Sequence, residues 1–220
     1  MDIASFIISA IEILGTIAFS LSGTLVGIDR GLDFFGVIVL GCATSVGGGI
    51  LRDILLGKTP PTAFMDPKYV AIAFVASFIA ILISKHYIKY VTPEKLKAFM
   101  VAIGVFDAMG LGMFTVIGMN AAISMGYTDN LFLLIFIGVM TGVGGGVMRD
   151  VFVHKTPIIF KKDIYATAAI IGGLCYYYSL KLGFLQITSM MIGAGVIIAI
   201  RFVSMYYDLN LPKFEQGHFD

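Results

Sequence analysis

The eight residues Val46-Gly47-Gly48-Gly49-Ile50-Leu51-Arg52-Asp53 return 97 positions later as Val143-Gly144-Gly145-Gly146-Val147-Met148-Arg149-Asp150. The same offset pairs Lys58-Thr59-Pro60 with Lys155-Thr156-Pro157, Gly41 with Gly138, Thr44 with Thr141, Phe35 with Phe132 and Gly15 with Gly112. A register held over that distance marks an internal duplication. Both octapeptides lie in apolar surroundings, so any fold must accommodate bare glycine backbone and a charged pair at matched depths of its two halves.

Hydrophobic residues make up 58% of the 220-residue chain and charged ones 13%, against about 45–50% and about 25% in soluble domains. This balance excludes a water-facing globular enzyme and a disordered chain. The apolar runs are Ile3 to Ile28, broken only by Glu12; Phe34 to Leu51; Tyr69 to Ser84; Ala98 to Thr128, with Asp107 as its one charge; Leu131 to Met148; Ile164 to Leu180; and Leu182 to Ile200. With their flanks, each comes close to the ~20 residues that span a bilayer as a helix. The first run has no basic flank and exceeds the length of a signal-peptide core, so it reads as a retained helix. The expected fold is an all-α membrane protein with seven transmembrane helices. Repeat one covers about 6–90, repeat two about 98–181, the seventh helix about 183–206 and a short polar tail 207–220, expected to be disordered and cytoplasmic.

Three spans per repeat is an odd number, so the second copy enters the membrane from the opposite side. That predicts inverted three-helix repeats about an axis in the membrane plane, as in transporters. With the N-terminus outside, the inner loops hold Arg30, Lys85, Lys89, Lys95, Lys97, Lys155, Lys161, Lys162, Arg201 and Lys213, and the outer loops only Lys58, Lys68 and Lys181. The positive-inside rule therefore favours N-terminus out and C-terminus in.

Three successive glycines cost a helix about 1 kcal/mol each relative to alanine, and they permit a kink or an unwound turn. Unwound backbone at membrane depth survives only against protein or a watery cavity. Gly47, Gly48 and Gly49, matched by Gly144, Gly145 and Gly146, thus suggest a pathway through broken helices. The alternative is close helix packing, of which Gly23-x-x-x-Gly27 and Gly138-x-x-x-Gly142 are further candidates. Thr44, Gly48 and Arg52 share one helical face, as do Thr141, Gly145 and Arg149. Hydroxyls of Thr44, Ser45 and Thr141 on such a stripe could replace an ion's hydration shell. Arg52 with Asp53 and Arg149 with Asp150 are expected to pair, as gates or as locks between helices. Glu12 and Asp107, on the leading helix of each repeat but not at equivalent positions, are candidate cation-attracting groups or assembly partners.

Other chemistry finds no support. The net charge of +1 offers nothing to nucleic acid. Cys42 and Cys175 read as small packing residues. His86, His154 and His218 fall in loops or the tail without metal-site spacing. Gly57-Lys58-Thr59 lacks the leading glycine of a phosphate loop, since Arg52 stands there. No metal, cofactor, catalytic residue or soluble partner is expected.

The segments GGGILRDILLGKTP and GGGVMRDVFVHKTP, with GTIAFSLSGTLVGIDRGLDFFGV ahead of the first, resemble the prokaryotic relatives of the trimeric intracellular cation (TRIC) channels, a family also labelled as a bacterial glycine-transporter domain. The resemblance runs from about Ile11 to Tyr206. It implies a seven-helix protomer, inverted repeats, a homotrimer in membrane lipid, one ion pathway per protomer shaped by kinks at the two triplets, and passage of monovalent cations, chiefly potassium. Where animal members carry a basic lipid-binding motif, this chain has its second triplet followed by Val147 and Met148. The expected function is a potassium-permeable cation channel of a prokaryotic plasma membrane. The alternative is a carrier of a small amino acid such as glycine, its carboxylate held by amides freed at the helix breaks.

Overall fold

The structure, a computed structural model, describes residues 3–88, 93–160 and 164–209. Its helices are α1 (Ile3–Asp29), α2 (Phe34–Leu55), α3 (Thr62–Met65), α4 (Lys68–Ile88), α5 (Pro93–Ser124), α6 (Leu131–Phe152), α7 (Ala166–Lys181) and α8 (Gln186–Tyr206), with a 3-10 turn at Ile158–Phe160. No strand occurs among the described residues. Among the described residues, five segments are long and apolar enough to cross a membrane: Ala4–Asp29, Phe34–Leu55, Lys97–Ser124, Leu131–Phe152 and Gln186–Tyr206. The apolar part of α4, Lys68–Ser84, and the 16-residue α7 are shorter. His86, expected in a loop, lies on α4. His218 and most of the expected tail lie outside the described residues, as do Lys89, Lys161, Lys162 and Lys213.

Local chemistry sets the helix ends. Asp33 caps α2 by accepting a hydrogen bond from the Gly36 amide at 2.7 Å, and Asn130, 97 residues on, caps α6 through the Leu133 amide at 3.0 Å. α1 stops at Gly31, whose φ of 68° only glycine adopts freely, while the Leu32 amide bonds back to the Gly27 carbonyl.

Small residues dictate how the helices pack. A Cβ at Gly23 or Gly27 would strike Thr44, Leu40 or Val37, so α1 and α2 run antiparallel at close range. Gly15 meets Met113 and Phe114 while Gly110 meets Phe19, which sets α5 antiparallel to α1. Gly138 and Gly142 meet Thr115, Met119 and Leu111, so α6 is antiparallel to α5. It follows that α2 and α6, the helices carrying the repeated octapeptide, also run in opposite directions. α8 lies antiparallel to α5 through Gly104 with Met205 and Gly112 with Ala194 and Ile198. The core between these helices holds Phe19, Leu111, Met119, Leu134, Tyr176 and Ile197, all fully buried. Outward faces stay apolar: Phe35 and its counterpart Phe132 are 73% and 80% exposed, a surface suited to lipid rather than water.

Candidate functional site

The four helices α1, α2, α5 and α6 meet where α2 crosses α6. A Cβ added to Gly48 would stand 2.1 Å from the Thr141 carbonyl oxygen, and one added to Gly145 would stand 2.1 Å from that of Thr44. The contact is reciprocal, each glycine of one copy resting on the backbone of the other. The triplets are therefore a crossing point. Helical structure runs unbroken through residues 47–49 and 144–146, which corrects the expectation of an unwound turn: no amide is freed there to hold a substrate. Packing, the alternative reading of the glycines, accounts for Gly48, Gly144 and Gly145 and for Gly47, which lies against the Met148 sulfur of α6, whereas Gly49 has only Arg52 Nη2 nearby, 3.9 Å from a Cβ placed there.

The hydroxyls divide similarly. Thr44 and Thr141 are fully buried, and each donates to the carbonyl one turn back on its own helix, Leu40 and Ile137, at 2.6 Å. Neither lines the cleft that Ser45 lines. Gly23 of α1 and Gly118 of α5 pack on them instead. Ser45, bonded to the Cys42 carbonyl at 2.9 Å, does line one.

Two charged clusters lie at opposite ends of this four-helix unit. At the first, Arg52 reaches Asp53 through Nε at 2.8 Å and Nη2 at 2.7 Å, and the other Asp53 oxygen accepts the Thr62 amide at 2.7 Å. Short helix α3 thereby folds over the end of α2. Tyr69 of α4 donates its hydroxyl to Glu12 of α1. Between these pairs lies a cleft of about 50 Å³, lined by Glu12, Thr16, Ser45, Gly49, Arg52 and Phe114 among others. The side chain of Arg52 is 11% exposed, so the cleft reaches solvent at its mouth.

The second cluster is closed. Arg149, 1% exposed, donates through Nη1 to Asp107 at 2.6 Å and to Ser22 at 2.7 Å, and through Nε to Asp150 at 2.9 Å. Asp150 also accepts the Ile158 amide at 2.9 Å, as Asp53 accepts that of Thr62. The Tyr165 hydroxyl closes in at Gly146, where a Cβ would stand 2.9 Å from it. Each octapeptide's Arg and Asp thus pair as expected, but Asp107 joins Arg149 whereas Glu12 joins Tyr69.

Between the clusters, along about 15 Å of α1 from Glu12 to Ser22, sits an aromatic pair. Phe19 stacks on Phe114 of α5 with ring centroids 5.3 Å apart, and its ring lies against Gly110 and Gly145. Sequence reading had no reason to single out Phe19, Phe114, Ser22, Tyr69 or Tyr165, whose roles depend on helices far apart in the chain. Arg201, expected in the loop after the seventh run, is instead 2% exposed within α8, where its guanidinium lies 4.8 Å over the Tyr165 ring. The continuing apolar residues Phe202 and Val203 were the signal for it.

The profile of the family described as "Glycine transporter" matches residues 9–85 and 104–181. The UPF0126 inner membrane protein YadS of Escherichia coli is 38% identical over 207 residues, covering 93% of this chain and 94% of its own. A prokaryotic TRIC channel crystallised in 0.5 M KCl superposes with a TM-score of 0.83 at 35% identity, over 94% of this chain and all of its own. The chain belongs to the TRIC family. A second TRIC structure, the trimeric intracellular cation channel orthologue from Rhodobacter sphaeroides, matches at a TM-score of 0.81 and 26% identity over 92% of this chain and 98% of its own.

Proposed function

We propose that this TRIC-family chain forms a homotrimeric, potassium-permeable cation channel in a prokaryotic inner membrane. α4 and α7 cross the bilayer with the five longer helices, giving seven spans: inverted repeats over about 6–90 and 98–181, then a seventh helix over about 183–206. The N-terminus lies outside, the C-terminus in the cytoplasm, and no cofactor takes part. Each protomer carries its own path between α1, α2, α5 and α6. The observation that supports this most directly is the linear arrangement of open cleft, aromatic pair and buried Arg149 cluster along one face of α1.

In this reading Glu12 draws cations into the cleft, where Thr16 and Ser45 offer oxygens. The path is shut at Phe19–Phe114 and again at Arg149, whose salt bridges to Asp107 and Asp150 occupy the far end. Opening separates α2 from α6 enough to turn Thr44 and Thr141 toward the path. The glycine-carrier reading, in which amides freed at the triplets hold the substrate carboxylate, is the other outcome of the test.

Purified protein in planar bilayers under a potassium gradient decides between them. The channel predicts unitary currents reversing near the potassium equilibrium potential. Saturable glycine counterflow without unitary current would overturn it.

A further inference from the structure

The two charged ends of the protomer are built on equivalent motifs yet differ in closure, and the difference traces to α8, which belongs to neither repeat. Gly49 and Gly146 are equivalent by the 97-residue offset. Beside Gly49 the nearest group is Arg52 Nη2, 3.9 Å from a Cβ placed there. Beside Gly146 three groups converge: the Tyr165 hydroxyl at 2.9 Å, Asp107 Oδ1 at 3.5 Å and Arg149 Nη2 at 3.8 Å from such a Cβ. Tyr165 corresponds to Lys68 and Asp107 to Ala10, so repeat one has neither.

Arg201 holds Tyr165 in that position. Its guanidinium lies over the aromatic face, and its Nη1 donates to the carbonyl of Ile164, the residue before, at 2.9 Å. Ring and backbone are gripped together by one planar fork, a geometry lysine cannot reproduce. Tyr165 lies at the entry to α7, with no side-chain cap to fix it otherwise. The Tyr165 hydroxyl and the Arg149–Asp107 pair thus crowd the same space beside Gly146, on the side that Arg201 backs.

We propose that Arg201, acting through Tyr165, is a latch from α8 that holds the Arg149 end of the path closed. It is a positioning residue: it touches neither the path nor a permeant ion. The proposal rests on the channel reading above. Arg201→Gln removes the cation and the planar fork, Arg201→Lys keeps the charge alone, and Tyr165→Phe keeps the ring but removes the hydroxyl at Gly146.

Single-channel recording of the full-length protein in planar bilayers with symmetrical KCl tests it, each variant first shown to be folded by size exclusion and thermal melting. Arg201→Gln raises the open-to-closed ratio about tenfold, the worth of one buried charge-assisted hydrogen bond, by shortening closed dwell times at unchanged unitary conductance. Arg201→Lys gives a smaller rise, and Tyr165→Phe shortens closed times in the same direction. Should Arg201→Gln fail to fold, Tyr165→Phe decides, since it deletes one oxygen. Wild-type closed times in the folded variants overturn the latch while leaving the channel intact. Silence of the wild-type protein overturns instead the channel reading beneath it.

Discussion

Gly48 rests on the carbonyl oxygen of Thr141, with 2.1 Å between that oxygen and the place a Cβ would take; Gly145 rests on Thr44 in the same way. Neighbouring backbone cannot move aside as a flexible side chain can. Gly48→Ala and Gly145→Ala should therefore each destabilise the protein by about 1–3 kcal/mol or more, seen as loss of the monodisperse peak and a lowered Tm in detergent. Gly49→Ala, which meets only the end of Arg52 at 3.9 Å, and Gly195→Ala, which meets nothing within 4 Å, should keep the monodisperse peak and raise Tm by the equivalent of up to about 1 kcal/mol, because alanine favours a helix interior over glycine. Equal tolerance at all four positions would refute the crossing-point reading.

The buried Arg149 cluster sets a second contrast. Removing one partner from a buried ion pair costs about 3–5 kcal/mol because the other charge is left stranded. Arg149→Ala strands both Asp107 and Asp150, so a steep fall in folded yield is expected. Asp107→Asn keeps the shape and one acceptor, and should cost less. Comparison of the melting temperatures checks the order Arg149→Ala below Asp107→Asn below wild type.

How much of this was legible beforehand depends on distance along the chain. The all-helical membrane character and the Arg–Asp pairs could be read because they rest on long apolar runs and on neighbours in sequence. The three glycines of a triplet could not be told apart, since successive helical residues point about 100° away from one another: Gly47 meets Met148, Gly48 the backbone of α6, and Gly49 the cleft. Nor could the partners of Arg149 be named. Asp107 lies 42 residues away and Ser22 127, and only the packing of α1 and α5 on α6 brings them together. Arg201 misled for a related reason, because a basic residue near the end of an apolar run looks like a loop cation until α8 continues past it.

Glu12 lies in the cleft with Tyr69 as its partner. If its charge concentrates cations, Glu12→Gln should lower unitary potassium conductance most at low salt. The deficit should shrink near 1 M, where the screening length falls to about 3 Å. Conductance measured across a series of KCl concentrations checks this; a deficit independent of salt would point to altered packing instead.

Asp129, in the loop before α6, is exposed and bonded to Lys181 at 2.9 Å. That hydrogen bond and the nearby positive charge hold its carboxyl below the usual range. A depressed carboxyl stabilises the fold above its unfolded pKa of about 3.9, and the effect is lost as pH falls through the lower folded value. Exposed pairs contribute little, so Lys181→Met should lower Tm only slightly at pH 7. The Asp129 share of that difference should be lost in acid, leaving only what Lys181 contributes by lying over the Tyr177 ring at 5.5 Å.

His154 closes α6 with φ of 52°, at the position where the first repeat closes α2 with Gly57 at 74°. The turn is otherwise the same: the Lys58 amide bonds to the Asp53 carbonyl at 2.8 Å, and the Lys155 amide to that of Asp150 at 2.8 Å. A side chain in the left-handed region costs roughly 1–2 kcal/mol, while glycine loses about 0.5–1 kcal/mol more entropy on folding elsewhere. The balance favours glycine here, so His154→Gly should stabilise the protein by up to about 1 kcal/mol, read as a higher Tm. His154→Ala keeps the strained Cβ and should give no such gain. A rise with alanine equal to that with glycine would place the effect in the exposed imidazole rather than in the backbone.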